Sequence, residues 1–146
     1  GLRGTSAEVL ADGLAEPSGV AFGPDGAPLV AESAAGRVVR LSRSGVETVV
    51  DGLDTPQGLT VDDGTLYIVD AGAKEVLGVD LTTGHRTVIA TGLAIGSPPG
   101  VTPKPLKGIE PFSGPQGPFA GITSGPDGTL YVSADGEGSV LAVRRT

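Results

Sequence analysis

A unit that recurs every 39 to 40 residues, counted from Gly13 to Gly52 and from Gly52 to Gly92, predicts an all-β chain made of β-propeller blades. Two further observations point to the same class. Each copy holds short apolar runs rich in Val, Ile, Leu and Tyr and bounded by Gly and Asp, which suit strands and are too short for helices. Between the runs lie GPDG at 23–26 and 125–128 and DDG at 62–64. In such turns Asp accepts a local backbone hydrogen bond and Gly takes a positive φ, as tight hairpins require.

Strands of a blade are lettered a to d from the axis outward. The first full copy, 19–50, places a at 19–22, b at 29–32, c at 37–42 and d at 46–50. The second, 58–90, repeats that order through the turns DDG and TTGH. The third, 121–145, supplies a at 121–124, b at 130–134 and c at 139–144, and lacks its outer strand. Residues 7–11, AEVLA, match the runs at 47–50 and 87–90 that precede the other Gly-Leu corners, so they read as an N-terminal outer strand without a blade of its own.

Three blades are not expected to close a ring, because propellers use about four to eight. The expected architecture is three four-stranded blades forming half of a six-bladed ring, with strand exchange between chains or halves. Residues 7–11 of one piece would then complete the last blade of the other and cover an apolar edge at 140–143. The expected partner is a second copy, giving a homodimer, or a missing complementary half. The absence of Met agrees with a processed, tagged or excised chain.

Composition narrows the function. At 146 residues the length suits a single domain. Without Cys there are no disulfides and no thiolate metal sites, and without Asn there is no N-glycosylation acceptor. The formal charge is −7 and the ten basic residues are scattered, so no nucleic-acid partner is expected. No apolar run reaches the about 18 residues of a membrane span, and no membrane partner is expected. The 25 Gly and 12 Pro fall at repeated places between β runs and act as punctuation.

The recurring pattern GL..P.G(V/L).(F/V)..DG.LY(V/I).(D/E) resembles the NHL-repeat and regucalcin/gluconolactonase-like group of six-bladed propellers, over residues 7–93 and 117–145. The resemblance implies that d-to-a and b-to-c loops share one face around an axial channel, with the a-to-b and c-to-d turns on the other. Gluconolactonase-like members hold a divalent cation on the axis, with ligands just before the Gly that opens strand a. The matching positions are Ser18, Gln57 and Ala120, none of which is a carboxylate. A hard cation wants several charged or carbonyl oxygens, so no cofactor is expected from these residues. Ca²⁺ or Mg²⁺ in the axial channel is the alternative, if a different half supplies ligands.

Glu32 and Asp70 end strand b in the first two copies, with Ala134 aligned in the third and Asp135 one step on. They are the candidate catalytic pair, as a general acid and base; the ordinary reading is that such carboxylates cap nearby loop amides. His85, the one histidine, sits in a c-to-d turn. Similarity to streptogramin-lyase-like enzymes, which work with a histidine, makes it a further candidate beside the plain reading of an exposed turn. No G-x-S-x-G elbow is present, and no GK[ST] follows the glycines. Arg37, Arg40 and Arg43 read as a solvated blade edge.

The insertion 94–120 carries seven prolines, which stiffen it toward extended conformations. Leu106, Ile109, Phe112 and Phe119 give it apolar anchors, and Lys104 and Lys107 give it charge. It reads as a lid or partner-binding ridge, or as a plug over the end of the core. The expected function is an NHL-like binding scaffold that holds a protein or small ligand on its top face, through Ser18, Gln57, Ala120, Lys104, Lys107, Phe112 and Phe119. The alternative is a gluconolactonase-like metal-dependent hydrolase or a streptogramin-lyase-like enzyme.

Overall fold

The short Gly- and Asp-bounded runs fold as strands in three antiparallel sheets. A computed structural model describes residues 6–95, 120–134 and 138–144. In the first sheet β1 (Pro17–Phe22), β2 (Pro28–Glu32), β3 (Arg37–Ser42) and β4 (Gly45–Val50) lie side by side in chain order. The second holds β5 (Pro56–Asp62), β6 (Thr65–Asp70), β7 (Glu75–Asp80) and β8 (Arg86–Ala90) in the same order. The third has β9 (Ile122–Ser124), β10 (Leu130–Ala134) and β11 (Ser139–Val143), with β11 at its edge. Among the described residues there is no helix, hence none long and apolar enough to cross a membrane.

Local chemistry explains the joints. Asp63 and Gly64 have φ of 49° and 75°, two consecutive left-handed residues that turn β5 into β6. Register slips between Pro17 and Gly19, and between Pro56 and Gly58, leave Ser18 and Gln57 as the extra residues of bulges in β1 and β5. The bulges let pairing start at Pro17 and Pro56, two residues earlier than the sequence predicts.

Alternation sends successive side chains to opposite faces of a sheet, so every blade can pack on both sides. Leu29, Ala31, Val38 and Val50 of the first sheet pack with Leu59, Leu66, Ile68 and Val79 of the second. Tyr67, Val69 and Val76 on the other face of the second pack with Leu130 and Val132 of the third. The middle sheet is therefore covered on both faces, which is why β6 reads as a continuous apolar run, Leu66–Val69, instead of alternating.

Close approach of inner strands is built on glycine. A Cβ at Gly19 would lie 2.5 Å from the Gln57 carbonyl oxygen, and one at Gly58 would lie 2.9 Å from that of Ala120. Residues 6–14 take no regular structure, so the run expected as an outer strand has no strand partner among the described residues, and Val9 and Leu10 stand exposed. Of the insertion expected at 94–120, residues 96–119 lie outside the described residues.

Candidate functional site

The ends of the b strands meet the loops that enter strand a. Asp70 closes β6 at 2% exposure, and its Oδ2 accepts from the Asp54 amide at 2.8 Å. Its Oδ1 accepts from Thr55 N at 2.8 Å and Ala73 N at 3.2 Å. Glu32 closes β2 at 1% exposure; Oε1 accepts from Ala15 N at 2.9 Å, and Oε2 pairs with Arg37 Nε. Backbone bonds sew the same loops together: Ser33 N to Glu16 O, Ala71 N to Thr55 O and Leu53 N to Gly36 O. The d-to-a and b-to-c loops thus share one rim. Both candidate catalytic carboxylates reach it, and each is bonded to its own loops.

Buried carboxylates survive only when their oxygens are bonded, and the two blades meet that need differently. Glu32 pairs across the hairpin with Arg37, whose guanidinium neutralises it. Asp70 stands opposite Glu75, another acid, and takes three amides instead. Arg37, expected as a solvated edge residue, is half-buried by this duty. The register of the SAAG hairpin, which sets position 32 opposite position 37, is the sequence signal that could have found it. In the third sheet Ala134 takes the equivalent place; Asp135 lies outside the described residues.

The hydrogen bond from Arg37 holds the Glu32 carboxyl below the usual glutamate range, aided by the Ala15 amide and opposed by burial. Because the folded pKa is lowered, Glu32 contributes stability that is fully present above its ordinary value of 4.5 and fades as pH falls through the folded value. Glu32→Gln is expected to flatten the acid limb of a plot of melting temperature against pH. An acid limb as steep as that of the parent would contradict this assignment.

Ser18, Gln57 and Ala120 lie where the inner strands begin. Ser18 Oγ donates to the Pro56 carbonyl at 3.0 Å, tying the first blade to the second. Gln57 is half-buried, and Ala120 is buried without a side-chain donor atom. As ligands for a hard cation the three do not fit, since none brings an anionic oxygen. Among the described residues no three His, Cys, Asp or Glu side chains converge to hold a metal ion. Lys104, Lys107, Phe112 and Phe119 lie outside the described residues.

His85 is exposed in the turn between β7 and β8, its amide donating to Thr83 Oγ1 at 3.2 Å and its carbonyl accepting from Asp80 N. That turn belongs to the rim away from Glu32 and Asp70. Among the described residues, clefts flank the blades. One of about 320 Å³ opens beside Asp70, walled by Leu53, Asp54, Glu75, Arg86 and Val88. Another, about 440 Å³, lies at the opposite rim among Asp25, Arg40, Glu47, Val79 and Asp80. The larger is remote from both buried carboxylates.

No protein-family model matches the chain, and neither does any curated protein. Solved structures do. The chain is similar to a streptogramin B lyase at 18% identity and a TM-score of 0.57, over 91% of this chain and 42% of that one. It is similar to a putative oxidoreductase (glucose dehydrogenase) from Thermus thermophilus at 23% identity and TM-score 0.58, over 87% and 39%. An auxiliary nutrient binding protein from Bacteroides thetaiotaomicron aligns at 16% identity and TM-score 0.63, over 91% and 29%. These likenesses show the fold: the chain is part of a β-propeller. It spans about two fifths of the first two structures, and the neighbours include both binding proteins and enzymes.

Proposed function

We propose that the protein is an NHL-like binding scaffold, half of a six-bladed ring, that holds a protein or small ligand on the rim formed by its b-to-c and d-to-a loops. The observation that carries this reading is the commitment of Glu32 and Asp70 to backbone amides and Arg37. Side chains spent on fixing loops give a preorganised contour, which lowers the ordering cost of binding. The cleft beside Asp70 offers that contour both apolar and charged walls. The chain reaches the same rim at Leu93, whose amide donates to the Lys74 carbonyl. The ring is completed by a second copy or a complementary half.

Calorimetric titration of the whole chain with Ca²⁺, Mg²⁺ and Zn²⁺ tests the reading against the metal-dependent hydrolase. The scaffold predicts no saturable heat at micromolar protein. Tight binding of one ion per ring would overturn it and return the axial channel to catalysis.

A further inference from the structure

Each sheet turns one face to the preceding blade and one to the following. On the following side of the first two sheets, equivalent residues are covered. Leu29 and Tyr67, Ala31 and Val69, and Val38 and Val76 are buried, the last pair at 0% exposure. Pairing register assigns Tyr131, Ser133 and Val140 to those positions in the third sheet. There Val140 is 71% exposed, and Tyr131 and Ser133 are exposed as well. Gly121 holds the place of Gly19 and Gly58, yet a Cβ on it would meet, among the described residues, only Ser133 Oγ at 3.4 Å.

The preceding side of the first sheet is open along its inner strand β1, while Val30 and Val39 on the same face are buried at 4% and 0% exposure. Leu59 and Val61 of β5 pack toward the first sheet, whereas Val20 and Phe22, their equivalents on β1, are 61% and 65% exposed. Large apolar side chains gathered on a face of this kind mark an interaction surface.

We propose that the open face of the third sheet and the exposed strip of β1 are the halves of one joint, and that its occupant is a second copy of this chain. The β9–β11 sheet of one copy docks on β1 of the other, with the Ser18 carbonyl taking the place over Gly121 that the Gln57 carbonyl takes over Gly19. The joint continues an interface the chain already makes twice with itself, between β1 and β5 and between β5 and β9. Head-to-tail contacts form a ring when the rotation closes and a filament when it does not. Two copies of three sheets give six blades, within the range that closes. This rests on reading the chain as half of a ring, and it assigns the surface by which the ring shuts.

Sedimentation equilibrium of the whole chain and of Gly121→Ala, with circular dichroism on both, tests the joint. The parent is expected at twice 14.4 kDa. Gly121→Ala keeps its strand spectrum, since its Cβ has room among the described residues, and dissociates about 100-fold more readily because that Cβ would strike the partner backbone. A parent chain at 14.4 kDa overturns the second copy as occupant and leaves further blades of a longer polypeptide in its place. A Gly121→Ala variant that pairs as tightly as the parent overturns the joint while leaving the ring reading intact. If that variant loses its strand signal, Val140→Lys on the exposed face substitutes for it, with the same expectation and the same contrary result.

Discussion

Gly19→Ala is expected to destabilise the chain by about 3 kcal/mol, near the upper end of what overpacking a close contact costs. The added Cβ would sit 2.5 Å from the Gln57 carbonyl oxygen and 3.3 Å from Gly58 Cα. These are backbone atoms of a paired inner strand, so no flexible side chain can yield. Relief requires β1 and β5 to part, which opens the contact between the first two blades and stretches the bond from Ser18 to Pro56. Urea unfolding should show a lower midpoint with an unchanged slope. A midpoint equal to that of the parent would mean that the inner strands are not as close as described. Gly26→Ala is a useful comparison, because nothing lies within 4 Å of its Cβ and its left-handed φ of 77° is the sole source of strain.

Asp70→Ala is expected to be about as damaging, near 3 kcal/mol, because it strips the acceptor from three backbone amides at once. Asp54 N, Thr55 N and Ala73 N hold the loop that leads into β5 and the loop that leaves β6. Asp70→Asn should recover part of the loss, since one oxygen still accepts while the amide nitrogen cannot. A carboxylate kept free for acid–base chemistry makes the opposite forecast: its removal abolishes activity and leaves stability unchanged or improved. Thermal unfolding of the two variants beside the parent separates the alternatives. An unchanged melting temperature in Asp70→Ala would return Asp70 to the list of catalytic groups.

The blades were legible because their signal is local and repeated. GPDG, DDG and the Gly-Leu corners fix turns through φ and Asx chemistry, and the apolar runs between them have strand length. The glycines opening strand a were visible too, but not their reason, since a contact between Gly58 and Ala120 spans an insertion whose path no local rule sets. Glu32 and Asp70 could be placed at strand ends from the repeat alone. Which atoms they bond depends on loops 15 to 17 residues away in sequence. The shift from Glu with an arginine to Asp with three amides follows from residues 37 and 75 on the facing strand, which a register argument can supply. The state of residues 7–11 follows the same logic in reverse, because the apolar pattern announces a strand and the described residues give it no strand partner.

Amide hydrogen exchange, read residue by residue by nuclear magnetic resonance, tests most directly whether the rim carboxylates serve the fold. The Ala15, Thr55 and Ala73 amides, which reach no strand partner, are predicted to exchange slowly in the parent. The latter two should exchange fast in Asp70→Ala, while Ala15 stays protected by Glu32. Rapid exchange of all three amides in the parent would contradict the account, because it would leave Glu32 and Asp70 without the work assigned to them.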